Sequence, residues 1–260
     1  MCIRDRETSD LAKRSGWWKS IDAADIDGDG DIDLLATNVG TNTKYKTSIK
    51  KPMTVYYGDF DGSGKPHIVE VKREGDVCYP ERGRSCSSNA MPFIGKKFET
   101  FHDFGLASLD EIYGDEKLEA ARRFEANTFE QGVFRNEGGG KFRFEAFDQS
   151  SRIAQIAPSH AGKFVDVDSD GDMDIALGQN FFGPQSETGN YDGGVGQVLR
   201  NNGKGEFSPI TPAKSGFVVR DAVVAIEVVD FNKDGRPDLA VASNQGPFRI
   251  FLNKAKGKRE

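Results

Sequence analysis

The stretch Asp166-Val167-Asp168-Ser169-Asp170-Gly171-Asp172-Met173-Asp174 places a carboxylate at positions 1, 3, 5 and 9 of a nine-residue segment, with glycine at position 6. The same register recurs three more times. The other copies are Asp25-Ile-Asp27-Gly-Asp29-Gly30-Asp31-Ile-Asp33, Asp59-Phe-Asp61-Gly-Ser63-Gly64-Lys65-Pro-His67 and Asp230-Phe-Asn232-Lys-Asp234-Gly235-Arg236-Pro-Asp238. We number these acidic loops 1 to 4 in chain order, so the stretch quoted first is loop 3. Alternate residues of a tight loop point the same way, so side chains 1, 3, 5 and 9 can converge on one ion. Hard oxygens at this spacing suit calcium, which takes about 6 to 8 oxygen ligands in irregular geometry.

The expected ligands are Asp25, Asp27, Asp29 and Asp33 in loop 1, Asp166, Asp168, Asp170 and Asp174 in loop 3, and Asp230, Asn232, Asp234 and Asp238 in loop 4. Asp31, Asp172 and Arg236, at position 7, would contribute backbone carbonyls. In loop 2, Asp59, Asp61 and Ser63 are weaker candidates, because Lys65 and His67 follow them. About three calcium sites and a fourth, degenerate one are therefore expected. Crowded carboxylates repel one another unless a cation neutralises them, which gives the ion a structural role. A merely solvated acidic turn would explain isolated Asp-Gly pairs, not one spacing repeated four times.

An EF-hand shares the first half of the pattern but needs a glutamate at position 12 between two helices. Ala36, Leu177 and Val241 stand there in loops 1, 3 and 4; Glu70 occupies it only in loop 2, where Pro66 and the β-branched run Ile68-Val69-Glu70-Val71 argue for a strand. The flanks Lys163 to Val165, Ile175 to Leu177, Ile226 to Val229 and Leu239 to Ala242 predict strands. Positions 2 and 10 are apolar in every copy (Ile26, Phe60, Val167, Phe231; Leu34, Ile68, Ile175, Leu239) and are expected to anchor the loops to a core.

A second signature lies between the loops. Phe134-Arg-Asn136-Glu-Gly138-Gly-Gly140-Lys-Phe142 parallels Leu199-Arg-Asn201-Asn-Gly203-Lys-Gly205-Glu-Phe207, with a decayed relative from Phe251 through Asn253 to Gly257. Asn and Gly supply the positive φ angles of hairpin turns. The unit of hairpin, strand, acidic loop and strand repeats over about 60 residues, as a propeller blade would.

These residues resemble the FG-GAP, or VCBS, repeat, the calcium-loop blade of integrin α-chain propellers and of many bacterial surface proteins. Gly16-Trp-Trp-Lys-Ser-Ile21, Asn42-Thr-Lys-Tyr45, Arg82-Gly-Arg-Ser-Cys86 and Met91-Pro-Phe-Ile94 look like a bacterial branch related to cartilage acidic protein, whose members often carry an ASPIC/UnbV module; no such module is evident here. The resemblance implies an all-β, partial propeller of about three to four blades, from a protein exported to the periplasm, cell surface or extracellular space. It also implies a protein that binds partners rather than turning over substrate. An open arc is expected, completed by N-terminal blades of the same chain that are missing here.

The expected organisation is blades over residues 7–71 with loops 1 and 2, an insert with short helices over 72–130, and blades over 131–260 with loops 3 and 4. In the insert, Ser108-Leu-Asp-Glu111 reads as a capping box, Gly114 as a stop, and Asp115 to Glu125 as a helix with Leu118, Ala121 and Phe124 inward. Its basic residues Arg82, Arg84, Lys96 and Lys97 are candidates for contacting an acidic ligand. Residues Met1 to Asp5 resemble a translated sequencing adapter, so residues 1–6 are expected to be non-native and a signal peptide to have been lost with the true start.

Composition bounds the rest. The chain has 260 residues, 30 of them glycine, and 35 basic against 41 acidic side chains give a formal charge of −6. That sign disfavours nucleic acid and anionic lipid. No apolar run approaches the ~20 residues that span a bilayer. Cys78 and Cys86 could close a disulfide, worth about 2–3 kcal/mol in an oxidising compartment, or stay as free thiols. His67, His102 and His160 share no metal-ligand spacing, and no nucleophile motif or phosphate loop is present. The partner is therefore expected to be a protein or a glycan. A carbohydrate-binding module, with Trp17 or Trp18 stacking on sugar, and a calcium-dependent polysaccharide lyase are the alternatives.

Overall fold

Short apolar runs flank each acidic loop, and in the computed structural model, which describes residues 9–184 and 188–255, each pair of runs forms an antiparallel strand pair. In chain order the described strands are β1 (Ile21–Ala24), β2 (Asp33–Ala36), β3 (Met53–Gly58), β4 (His67–Glu74), β5 (Val77–Pro80), β6 (Arg122–Ala126), β7 (Gly132–Asn136), β8 (Phe142–Ala146), β9 (Ser159–Val165), β10 (Asp174–Gln179), β11 (Gln197–Asn201), β12 (Phe207–Ile210), β13 (Ala222–Val229), β14 (Asp238–Asn244) and β15 (Arg249–Phe251). The protein is mostly β, in four antiparallel sheets. Because the acidic loops join strands, the EF-hand alternative falls. The expected adapter residues 1–6 and Gly257 of the third hairpin lie outside the described residues.

Two compact units share the chain: residues 1–43 with 129–260, and residues 44–128. The first holds three sheets, β1-β2-β7-β8, β9-β10-β11-β12 and β13-β14-β15. The second sheet is the middle layer. Along β10, Ile175 and Leu177 join a core with Ile26, Leu35 and Val133 of the first sheet, while Ala176 joins a core with Val223, Ile226 and Val241 of the third. This is the period of 2 expected of a strand covered on both faces. Two glycines permit the close approach. A Cβ on Gly178 would lie 2.3 Å from Val223 Cγ1, and one on Gly162 would lie 2.6 Å from Thr37 Cγ2.

The other face of the first sheet is covered by Trp18, whose ring lies edge-on to Phe134 and Phe144 at 5.7 and 5.9 Å. The helical turn α1 (Asp10–Lys13) lies along the outer edge of β8, where Asp10 Oδ2 accepts the Phe144 N–H at 3.0 Å and Ser9 Oγ accepts that of Phe142 at 3.1 Å. This edge is thereby closed to further pairing.

Residues 44–128 hold the sheet β5-β4-β3-β6 and the helices α2 (Arg84–Ala90), α3 (Phe93–Lys97), α4 (Phe101–Leu106), α5 (Leu109–Tyr113) and α6 (Asp115–Ala120). Ile94, Phe104, Leu109, Ile112 and Tyr113 pack with Phe60, Val69 and Val71 into one core. Ser108 and Glu111 form a reciprocal capping box, and Gly114, at φ +84°, ends α5. The unit starts earlier than residue 72 because β3 and β4, with loop 2 between them, pair with β6 and β5 rather than with another sheet.

The expected helix from Asp115 to Glu125 stops at Ala120. Residues Arg122–Ala126 instead pair with β3, which satisfies their backbone groups in a ladder. Leu118 and Ala121 still pack on the core, but Phe124 is exposed. Cys78 and Cys86 are both free and half-buried. No helix among the described residues is long and apolar enough to cross a membrane.

The packing of the middle sheet yields a test. Gly178→Ala is expected to destabilise the fold by about 1–3 kcal/mol, the usual cost of overpacking a filled interface, read as a lower urea midpoint with an unchanged slope.

Candidate metal centres

Each acidic loop is first of all a backbone device. In loop 1 the position-1 carboxylate accepts N–H groups from within the loop, Asp25 Oδ1 from Gly28 at 2.8 Å and Oδ2 from Gly30 at 3.0 Å. Asp166 does the same for Asp170 and Gly171, Asp230 for Asp234 and Gly235, and Asp59 for Gly62 and Gly64. Position 5 closes a second turn, as where Asp29 Oδ1 accepts the Asp31 N–H at 2.8 Å and Asp170 Oδ1 that of Asp172 at 3.1 Å. The chain turns at position 6, where Gly30, Gly64, Gly171 and Gly235 have φ between +78° and +94°, a region that L side chains avoid.

Position 9 works differently. Asp33, Asp174 and Asp238 are all buried, and each spends both oxygens on main-chain N–H groups. One oxygen accepts from position 2 of its own loop: Ile26 at 3.2 Å, Val167 at 3.0 Å and Phe231 at 2.9 Å. The other accepts from an asparagine at or just beyond the end of the neighbouring strand of the sheet: Asn136 at 2.7 Å, Asn201 at 2.8 Å and Asn253 at 2.7 Å. Loop 2 has His67 here, and its Nε2 lies 3.4 Å from Asp61 Oδ2.

Two sets of carboxylates come together closely enough to share an ion. Ligand oxygens of Asp25, Asp27 and Asp29, and likewise of Asp166, Asp168 and Asp174, lie within 4.8 Å of one another. In both sets the position-3 residue carries a buried oxygen without a hydrogen-bond partner, Asp27 Oδ1 and Asp168 Oδ1. An orphaned anionic oxygen in a three-carboxylate cluster fits a hard divalent cation, and the all-oxygen donor set points away from soft metals. Asp33 is not in the first set and Asp170 is not in the second. Among the described residues, loops 2 and 4 form no such set. In loop 4 desolvation, the largest single effect, pushes the Asp234 carboxyl up, but the Asn232 amide and the Arg236 N–H and guanidinium together outweigh it and hold the group below the usual range. In loop 2 the Ser63 hydroxyl and N–H bring Asp61 down to about 2.

The electrostatics of loop 3 show what the cluster costs. Burial pushes the Asp174 carboxyl up to about 6, and the neighbouring Asp168 and Asp170 charges add to this, against the N–H groups of Asn201 and Val167. Asp168 is raised as well, by burial and then by Asp170, with Arg200 opposing. Asp33 is raised by burial.

Arginines supply the opposite charge. Arg135 Nη1 lies 2.6 Å from Asp27 Oδ2, and Arg200 Nη2 lies 2.5 Å from Asp168 Oδ2 and 3.2 Å from Asp170 Oδ2. Each arginine immediately precedes the hairpin asparagine, so the Arg-Asn pair repeated in both hairpin motifs was the available signal, and the ligand pattern alone missed it.

Other sequence candidates go to internal contacts. Trp17 packs on Phe129 at 4.7 Å and Trp18, half-buried, packs against Phe134 and Phe144 of the first sheet. Arg82 pairs with Glu70, Arg84 donates to the Phe98 carbonyl and Lys97 to that of Glu111. The apolar anchors hold at Ile26, Phe60, Ile175 and Leu239, while Val167 and Leu34 are half-buried. Phe231 and Ile68 are exposed, at 47% and 51%. Ile68 lies on the face of β4 opposite Val69 and Val71, which join the helix-covered core.

Two outcomes test this geometry. In chelator, the Asp174 carboxyl should titrate near 6 by NMR; since its folded pKa lies above the unperturbed 3.8, its contribution to stability is full below the lower value and falls as pH rises through the higher. Asp33→Ala, which strips the acceptor from two main-chain N–H groups, should cost about 2–4 kcal/mol in urea titrations, against under about 1 kcal/mol for the exposed Asp29→Ala without metal.

Comparison with known proteins bears on part of the chain. Residues 166–241, from the first aspartate of loop 3 into β14, match the family described as an FG-GAP-like repeat. No curated protein matches the chain. FG-GAP repeats are typical of extracellular proteins and are generally non-catalytic. Over those residues, the chain is similar to an FG-GAP-like repeat.

Proposed function

We propose that this chain is a calcium-stabilised, propeller-type scaffold of an exported or cell-surface protein, whose loops recognise a protein or glycan partner. The observation that carries this reading is the repeated construction of the first unit. Its three sheets each pass from strand through acidic loop to strand, with a buried position-9 aspartate fastening the loop to the asparagine beyond. The first two sheets also gather three carboxylates at the loop.

Calcium is the cation of choice because the gathered donors are all carboxylate oxygens, and extracellular modules bind it with Kd of about 10⁻⁴ to 10⁻³ M. Asp25, Asp27 and Asp29 would hold one ion, and Asp166, Asp168 and Asp174 another. Loop 4 is a weaker site, reached when Arg236 releases Asp234. The bound ion supplies positive charge that lets the buried carboxylates stay ionised together. The residues of the chain orient those carboxylates through the turn hydrogen bonds already described.

Calcium binding only to the folded chain stabilises by mass action, about 1.4 kcal/mol per site at tenfold excess over Kd. Millimolar calcium should therefore raise the melting temperature, and chelator should reverse the rise. A melting curve indifferent to both contradicts the reading. By calorimetry, Asp168→Ala should remove more calcium binding than Ser63→Ala; equal losses would show that the loops are not ranked as their carboxylate sets rank them.

A further inference from the structure

We infer that the hairpin asparagines couple the cation loops of neighbouring sheets, so that filling one loop tightens the next. This rests on the cation-binding reading above and concerns how its sites act on each other.

Asn201, at the end of β11 in the second sheet, bonds a carboxylate of the loop 3 set and the backbone of loop 1. Its main-chain N–H donates to Asp174 Oδ1 at 2.8 Å, within the set of loop 3. Its side-chain Nδ2 donates to the Ile26 carbonyl at 2.8 Å, between Asp25 and Asp27 of loop 1, and to Met173 at 3.1 Å. Its Oδ1 accepts the Gly203 and Gly205 N–H groups at 3.2 and 2.9 Å. Every polar group of this buried side chain is therefore engaged, and it cannot shift toward one loop without disturbing its bonds to the other.

A second tie runs through the same hairpin. Arg135 of the first sheet bonds Asp27 with Nη1 and the carbonyls of Lys204 and Gly205 with Nη2, at 3.1 and 2.8 Å. Loop 1 is thus held at its position-2 carbonyl by the hairpin that also closes loop 3, and at its position-3 carboxylate by an arginine anchored on that hairpin. The arrangement recurs one sheet further on. Asn253 gives its N–H to Asp238 Oδ1 at 2.7 Å and its Nδ2 to the Val167 carbonyl at 3.0 Å, between Asp166 and Asp168. A cation that draws positions 1 and 3 together fixes the carbonyl between them. That in turn fixes the asparagine donor, and with it the N–H received by position 9 of the next loop. A ligand that orders a shared element favours the second ligand needing the same order, and the coupling is reciprocal.

The test is calorimetric calcium titration of chains in which Asp234→Ala silences loop 4, after circular dichroism has established that each is folded. With the hairpins intact, Asp29→Ala in loop 1 should weaken calcium binding at loop 3 by about 5- to 20-fold, in the range of measured allosteric couplings. With Asn201→Ala the same change should be less than about twofold. Because Asn201→Ala strips a buried side chain and could prevent folding, Asn253→Ala is titrated in parallel. It should leave the loop 1 to loop 3 effect intact, yet abolish the effect of Asp234→Ala on loop 3 in chains whose loop 1 is silenced. Two loops that bind calcium with affinities indifferent to each other would overturn the coupling and leave the cation sites standing. No binding in any chain would overturn both.

Discussion

A buried carboxylate that accepts two main-chain N–H groups fastens each sheet of the first unit. Asp33, Asp174 and Asp238 each join the start of an acidic loop to the far end of the neighbouring strand in the sheet or the residues just beyond it, so loop and strands become one piece. Hydrogen bonds to an ionised acceptor are strong, but removing a carboxylate from water is expensive, and the upward shift of Asp174 shows that the N–H groups do not meet the whole cost. Further acidic groups crowd the same loops. On the proposed reading, a cation would sit by the clustered positions 1, 3 and 5 of loop 1 and by the orphaned oxygens of Asp27 and Asp168.

That constraint explains why the arginines and the neighbouring asparagines stand where they do. Arg135 and Arg200 give partial neutralisation from the flank, each taking one oxygen of a position-3 aspartate and leaving the other free. The sheets then stack through cores that alternate sides along β10, with glycines at the closest approaches. Loop 2 belongs to the other unit and solves its problem otherwise. With Ser63 and His67 in place of two carboxylates it is less charged, and its apolar Phe60 is buried against Tyr113, with ring centroids 5.1 Å apart.

Much of this was legible in residue spacing. The nine-residue register located all four loops, and the Asn-Gly runs located the hairpins at 136–142 and 201–207, because both depend on local turn chemistry. What escaped depended on distant pairing. Arg122–Ala126 continues a helical pattern locally but becomes a strand because β3 offers an edge. Loop 2 looked like part of the repeat, yet its strands pair within residues 44–128. Phe231 fits an anchor position but is exposed in the three-stranded sheet, where the core includes Ile226 and Leu239 instead. The double use of Asp33 and Asp238 was hidden as well, since spacing marks a carboxylate without saying whether its oxygens face an ion or the backbone.

On the proposed reading the acidic loops are cation sites and not merely turns. The most direct measurement is a crystal structure of the chain grown with calcium. A bound ion should appear as density between Asp166, Asp168 and Asp174 with metal–oxygen distances of about 2.3–2.6 Å, one contact being the Asp168 Oδ1 that has no hydrogen-bond partner. A well-ordered loop 3 with only water there, and Arg200 still bridging Asp168 and Asp170, would contradict that reading.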